Sequence, residues 1–161
     1  MKWIKDGKQL ITGTSTGVII QWNTQSKFHH ANSCTVHSNS KTVQAITVSN
    51  YEKYIISGDK EGTIVYSNIK LKQKNQFEAH KNTCIRDLSF SNSSLKFVSC
   101  ADDGMAKVFD FSKSKEEFSF SDHRSDVKTC EWHPFESLIV TGSKDCYVKV
   151  WDPRTGGKGV H

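Results

Sequence analysis

Long apolar runs are missing from this sequence. No stretch approaches the ~20 residues of a membrane-spanning helix. The opening MKWIKDGKQL lacks the apolar middle of a secretory leader. The expectation is a protein that meets no membrane. Proline is scarce, with two residues in 161, and no low-complexity tract is present, so the chain reads as one domain without a Pro-rich linker. No Cys-x-x-Cys pair occurs, and the five cysteines (Cys34, Cys84, Cys100, Cys130 and Cys146) are odd in number. They read as free thiols in a reducing compartment, cytosol or nucleus. Neither a phosphate-cradling glycine loop nor a convergent set of carboxylates is legible, so no enzyme and no cofactor are expected.

Apolar residues are also few, at 35% of the chain with a mean hydropathy of −0.56. That is little for one large two-layer core and suits a core divided into thin layers. The net charge is +5, from 22 Lys+Arg against 17 Asp+Glu. So mild an excess permits an acidic partner such as RNA, but reads first as a solvated basic surface.

What the sequence does have is repetition. Trp3, Val48, Phe90 and Trp132 form one column of equivalent positions. Gly13, Gly58, Cys100 and Gly142 form a second, and Gly17, Gly62, Gly104 and Cys146 a third. Trp22, Ser67, Phe109 and Trp151 form the fourth. Every column steps by 45, 42 and 42 residues. Within each copy, apolar and polar residues mostly alternate, as in Val127-Lys128-Thr129-Cys130-Glu131-Trp132, the period of a half-buried strand. Repeats of about 40–45 residues with four short strands each are the mark of a WD-type β-propeller.

The predicted strands follow these columns. Unit one has Met1–Ile4, a turn at Lys5-Asp6-Gly7, then Lys8–Gly13, Val18–Asn23 and Ala31–Val36. Unit two has Val43–Ser49, Tyr54–Gly58, Thr63–Asn68 and Gln73–Glu78. Unit three has Ile85–Ser91, Lys96–Cys100, Ala106–Phe111 and Glu116–Ser121. Unit four has Val127–His133, Leu138–Gly142 and Tyr147–Asp152, then a glycine-rich tail, Thr155–His161. At one unit per ~43 residues the chain holds roughly 3.7 units, below the 4–8 blades of closed propellers. The expected fold is all-β: a partial WD40 β-propeller of about four blades, an open arc rather than a closed ring. It forms one repeat domain over 1–161, with blades near 1–37, 38–80, 81–123 and 124–161, the first and last incomplete. Such an arc reads as a fragment, or as a chain that completes its ring with something else.

The clearest copy runs from His123 to Gly156. Asp145, in the turn between the second and third strands, is placed to accept a hydrogen bond from His123. Thr141 is placed to bond the other ring nitrogen, and Trp151 to add its indole N–H. These four residues are read as a structural tether, because a buried polar network stabilises only when every member is satisfied. The alternative, a Thr/His/Asp catalytic triad, needs an exposed nucleophile and an oxyanion site. Unit three keeps His80, Ser99 and Asp103 but has Phe109 for tryptophan. In unit two Glu61 stands in the aspartate position and Ser67 in that of tryptophan, so a weaker tether is expected from His37 through Ser57.

The strings FEAHKNTCIRDLSFS, KFVSCADDG, DVKTCEWHP, TGSKD and WDPRTG occur in this order. Together they resemble the WD-repeat subunit of the eukaryotic pre-mRNA cleavage and polyadenylation specificity factor. The resemblance covers essentially the whole chain and is strongest over Gln76–Gly156. It implies a non-catalytic nuclear scaffold that works with a zinc-finger subunit and a large scaffold subunit on the AAUAAA-type polyadenylation signal of pre-mRNA. The family's basic segment ahead of the first repeat is absent, as are its later repeats. One RNA contact is carried over, Phe28 in the loop Lys27-Phe28-His29-His30, because an exposed aromatic ring can stack on an unpaired base. Packing of Phe28 on the sheet edge is the competing reading.

Three other patterns are present. His30, Cys34 and His37 have zinc-compatible spacing, but no fourth ligand is evident, so no metal is expected. Lys70, Lys72 and Lys74 would share one face of an extended segment, and read as protection of an outer strand. Trp151-Asp152-Pro153-Arg154 fits a short W-D-x-R string by which some WD proteins dock a cullin-ring adaptor. A substrate receptor of a cullin-ring ubiquitin ligase is therefore the alternative function.

Overall fold

Alternating side chains and tightly turned hairpins make this chain a series of small antiparallel sheets. The computed structural model describes residues 1–4, 7–25, 27–38 and 41–155. Sheet one holds β1 (Lys2–Ile4), β2 (Gln9–Gly13), β3 (Val18–Asn23) and β4 (His29–Thr35). Sheet two holds β5 (Val43–Val48), β6 (Tyr54–Asp59), β7 (Thr63–Asn68) and β8 (Gln73–Glu78). Sheet three holds β9 (Ile85–Phe90), β10 (Lys96–Ala101), β11 (Ala106–Asp110) and β12 (Lys115–Phe120). Sheet four holds β13 (Val127–Trp132), β14 (Ile139–Ser143) and β15 (Val148–Trp151). Strands pair in sequence order in every sheet. The described residues contain no α-helix, only a 3-10 turn at Pro153–Thr155. Two expectations, the turn residues Lys5 and Asp6 and the tail beyond Thr155, lie outside the described residues.

The sheets follow one another as an arc that does not close. β5 meets β1 and β2, β9 meets β5 and β6, and β13 meets β9 and β10. A thin apolar layer fills each junction. Ile4, Ile11, Ile19, Ile55 and Val65 fill the first. Tyr66, Ile85, Phe90, Phe97 and Phe109 lead the second. Val98, Val108, Phe120, Cys130, Trp132 and Trp151 make the third. This division explains how a chain poor in apolar residues still buries them: each serves a local layer. At the two ends of the arc the same kinds of side chain lie open, with Met1 and Trp3 exposed on sheet one and Val140 and Val148 on sheet four.

The third column of the repeat is set by backbone geometry. Gly17, Gly62 and Gly104 all have positive φ, and Cys146 adopts the same left-handed conformation at φ 70°. At Gly62 no side chain is possible at all, since a Cβ would lie 1.5 Å from the His80 carbonyl oxygen. That carbonyl belongs to the loop entering the next sheet, so the glycine lets neighbouring turns interlock.

The Lys70/Lys72/Lys74 expectation fails here. The segment is not extended: Leu71 is buried with φ 60°, and the Asn68 side chain caps a tight turn by accepting from Lys70 N–H and Lys72 N–H. The turn drives Leu71 into the core layer between sheets one and two and breaks the alternation that would have aligned the three lysines.

Candidate functional site

The polar tethers lie where a histidine entering one sheet meets that sheet's β-turn. In sheet four, His123 Nδ1 donates to Asp145 Oδ2 at 2.9 Å. Nε2 is 2.7 Å from Thr141 Oγ1, which also accepts the Trp151 indole N–H at 2.8 Å. The proton positions follow from chemistry. An ionised carboxylate only accepts, so Nδ1 carries the hydrogen; Nε2 of the neutral ring then accepts, and the Thr141 hydroxyl donates to it. Every side-chain polar atom of the chain Trp151–Thr141–His123–Asp145 is engaged, Thr141 Oγ1 and Asp145 Oδ2 each in two bonds. Burial opposes ionisation of Asp145. The Arg124 N–H, His123 and the Tyr147 N–H outweigh it and hold the carboxyl well below the usual range.

Sheet three repeats the arrangement with His80, Asp103 at 2.7 Å and Ser99 at 2.8 Å. Phe109 replaces tryptophan there and stacks on Phe97 instead of donating. Among the described residues sheet one shows the distal half, Trp22 Nε1 donating to Thr12 Oγ1 at 2.9 Å.

Sheet two corrects the sequence reading. Its tether is complete without an aspartate at position 61. His37 Nδ1 donates to Asp59 Oδ2 at 3.0 Å, and the Ser57 hydroxyl donates to Nε2 at 2.8 Å. Asp59 sits two residues before the expected position, at the end of β6, opposite Val43; its counterpart in sheet four is Ser143, opposite Val127. The carboxylate also accepts from Glu61 N–H and Thr63 N–H, so one side chain serves both tether and turn. Burial opposes its ionisation, but His37 and those two amides prevail and lower its pKa. Glu61 turns outward and pairs with Lys41 at 2.7 Å. Both His37 and Asp59 side chains are fully buried, and both ring nitrogens of His37 are engaged, which takes it out of any set with His30 and Cys34.

A second constellation went unseen in the sequence. The inner strands β5, β9 and β13 each carry one extra residue against their partner, at Gln44, Arg86 and Lys128. Such bulges re-aim side chains. Here Arg86 and Lys128, from adjacent sheets, converge on Asp102. Arg86 Nε donates to Asp102 Oδ1 at 2.9 Å, and Lys128 Nζ reaches Asp102 Oδ1 at 2.6 Å and Asp126 Oδ2 at 2.8 Å. The Arg86 guanidinium, against the opposing effect of burial, and the Lys128 ammonium bring the Asp102 carboxyl down to about 2. Asp87 adds a further link between these sheets, accepting from the Thr129 hydroxyl at 2.8 Å. The 42-residue spacing of Gln44, Arg86 and Lys128 was legible, but nothing in it announced a bulge.

Phe28 lies just before β4 and is 60% exposed. Its ring stacks on Trp22, with centroids 5.1 Å apart and planes at 17°. The ring packs on the sheet and leaves its other side accessible. The contact has a counterpart at the junction of sheets three and four, where Phe120 stacks on Trp151 at 4.7 Å and 23°. Phe28 covers from within its own sheet what a neighbouring sheet covers elsewhere. Arg154 does not extend freely. Its guanidinium pairs with Asp152, Nε to Oδ1 at 2.9 Å and Nη2 to Oδ2 at 2.6 Å.

Comparison with known proteins agrees with this architecture. The model of the WD domain, G-beta repeat (WD40), matches residues 71–110 and 114–152. Polyadenylation factor subunit 2 of Neurospora crassa is 36% identical over 156 residues, 97% of this chain and 23% of that protein. The protein of the same name from Cryptococcus neoformans is 40% identical over 128 residues, 80% of this chain and 17% of that protein. More distantly, the GATOR2 complex protein WDR24 of Gallus gallus is 25% identical over 154 residues, 93% of this chain and 22% of that protein. The chain spans less than a quarter of the length of these relatives. It belongs to the WD40-repeat family and, over most of its length, is similar to proteins named polyadenylation factor subunit 2.

Proposed function

We propose that this chain is a non-catalytic scaffold segment of the mRNA 3′-end cleavage and polyadenylation machinery, acting in the nucleus. It holds partner subunits, a zinc-finger subunit and a large scaffold subunit among them, and shares contact with the polyadenylation signal of pre-mRNA. The observation that carries this reading is identity of 36–40% over 80–97% of the chain to proteins named polyadenylation factor subunit 2. Geometry supports the non-catalytic part. Ser57, Ser99 and Thr141 are spaced from His and Asp as triad hydroxyls would be, but they are buried and already donate to their histidines. A nucleophile must be reachable by substrate. Tethering is the role this geometry fits.

Phe28 is the RNA contact in this reading, with Trp22 at its back and its exposed side available for a base. The chain alone should hold RNA weakly and in a salt-sensitive manner, because its basic excess is mild. Phe28→Ala should weaken AAUAAA binding by the assembled complex by about 1–3 kcal/mol, read by filter binding or fluorescence anisotropy. The partner claim is tested by recovering the tagged protein from nuclear extract and identifying what accompanies it. Processing subunits and AAUAAA-containing RNA are the expected companions. A cullin adaptor without any 3′-end processing factor would transfer the assignment to the ligase-receptor reading.

A further inference from the structure

The turn after the third strand of each sheet has a capping side chain at one repeat position. The column is Asn23, Asn68, Asp110 and Asp152, again in steps of 45, 42 and 42 residues. Asn23 accepts from the Gln25 N–H, and Asn68 from the Lys70 and Lys72 N–H groups. Asp110 accepts from the Lys113 N–H, and Asp152 from the Arg154 N–H. An amide oxygen and a carboxylate oxygen both accept, so either residue closes the turn. They differ in charge.

In sheets three and four the aspartate also faces the cation of its own turn. Asp110 Oδ2 is 4.0 Å from Lys113 Nζ, and Asp152 holds the Arg154 guanidinium through both oxygens. In sheets one and two the cap is neutral, and Lys27, Lys70 and Lys72 are exposed in those turns. The lysines that pair with carboxylates, among the described residues, are Lys41, Lys96, Lys107, Lys113 and Lys128. The three lysines of the asparagine-capped turns are not among them.

These turns stand in a row along one end of the arc. Asn32 of β4, opposite Gln21, donates to the Lys70 carbonyl at 3.4 Å. Its equivalent in β8, Asn75, opposite Tyr66, donates to Ser114 Oγ in the next turn at 2.8 Å. The outer strand of one sheet thus holds the turn of the next. Leu71, buried in the layer between sheets one and two, anchors the Lys70–Lys72 turn against the sheet that carries Phe28. The uncompensated cations therefore gather at the end of the arc where Phe28 exposes its ring in front of Trp22.

We propose that the turns of sheets one and two form one single-stranded RNA site, in which Lys70 and Lys72 meet the phosphates beside the base stacked on Phe28. This rests on the reading of Phe28 as an RNA contact. An ammonium meets a phosphate as a point charge and releases counterions, whereas a ring takes the face of a base without charge. A ring beside unneutralised lysines matches alternating base and phosphate more closely than an acidic peptide, whose carboxylates need no flat aromatic partner.

Salt dependence separates the two parts. On a single strand, the logarithm of the binding constant falls with the logarithm of salt concentration by about 0.7 for each phosphate neutralised. The measurement uses the assembled complex and an AAUAAA-containing oligonucleotide. Lys70→Gln combined with Lys72→Gln should weaken binding at low salt and lower that slope by about 1.4. Lys70→Arg combined with Lys72→Arg should keep the slope. Lys113→Gln, at a charge that Asp110 already faces, should leave it nearly unchanged. Phe28→Ala should weaken binding at every salt concentration without changing the slope. An unchanged slope for the double glutamine variant would overturn the proposal. If Phe28→Ala still weakens binding in that case, the Phe28 contact stands without the lysines; if it does not, both fall. Loss of a protein subunit from the double glutamine complex, with the slope unchanged, would overturn the proposal in favour of an acidic segment of that subunit.

Discussion

The tethers of sheets two and four reach one geometry from two different positions. In sheet four the carboxylate comes from Asp145, inside the β-turn, with its side chain 6% exposed. In sheet two it comes from Asp59, at the end of a strand, and is sealed with His37 in the interior. Sheet four adds an indole donor from Trp151, whereas sheet two has Ser67 at that position. What the two sheets share is the set of roles: an acceptor-only carboxylate on Nδ1 and a hydroxyl on Nε2. Residue type at a fixed repeat position is a proxy for those roles, and sheet two shows where the proxy fails.

The largest effect expected from this contrast is at His37. Its removal leaves the Asp59 carboxylate sealed in the interior with the Glu61 and Thr63 amides but without its histidine, and a buried charge short of a partner costs about 3 kcal/mol or more. His123→Ala leaves a carboxylate that keeps the Arg124 and Tyr147 amides, and should cost about 1–3 kcal/mol. Urea unfolding of the two variants side by side decides the ranking. A cost for His37→Ala equal to or below that for His123→Ala would mean that burial does not separate the two tethers.

Acid should expose the same networks. The carboxyls of Asp59, Asp103 and Asp145 all lie below their ordinary range. A depressed carboxyl contributes its full stabilisation above its unfolded pKa, near 3.9, and loses it as pH falls through the lower folded value. Stability should therefore be flat in these groups above about pH 5 and decline below about pH 4. Asp59→Asn should be less stable at neutral pH and show a shallower decline in acid. Thermal midpoints measured from pH 6 to pH 2 check both the sign and the window. A decline unchanged by the substitution would remove Asp59 from the network.

Much of this molecule was legible in its sequence. The column spacing located every strand to within two residues, because alternation and tight turns are local properties. Val148–Trp151 and Gln73–Glu78 needed only their own side chains to be recognised. Asp59 was missed because the pattern was read by position, and the actual partner was displaced by two residues along a strand. Arg86 and Lys128 were missed because their meeting point, Asp102, is made by two sheets and two bulges, none of which leaves a local mark. The stacking of Phe28 on Trp22 was missed for a related reason. Either residue alone reads as an exposed aromatic or a core residue, and only the hairpin between β3 and β4 brings the rings together.

Imposing the sheet-four pattern on sheet two should not stabilise it. Ser67 is 1% exposed in a filled interior, so Ser67→Trp should overpack the site and cost about 1–3 kcal/mol. Glu61→Asp should bring no gain, because Asp59 already bonds His37. It shortens the side chain paired with Lys41, an exposed contact worth less than about 1 kcal/mol. Stabilisation by the double substitution, read from the thermal midpoint, would show that sheet two is an imperfect copy of sheet four and not an alternative solution.

The smallest effect separates the turns. Sheets one, two and three place glycine at the left-handed position, and sheet four places Cys146 there at φ 70°. An L-residue in that conformation bears a steric cost of about 1–2 kcal/mol from its Cβ. Glycine removes the clash but brings a more flexible unfolded chain, which offsets part of the gain. The Cys146 thiol is exposed and only weakly engaged, donating to the Lys144 carbonyl at 3.8 Å. Its loss should remove little. Cys146→Gly should therefore stabilise the chain by about 0.5–1 kcal/mol, while Cys146→Ala, which keeps the Cβ, should be close to neutral. Paired urea unfolding curves distinguish the two variants. Equal stability for Gly and Ala would mean that the turn of sheet four carries no backbone strain, and that its difference from the other three lies in the tether alone.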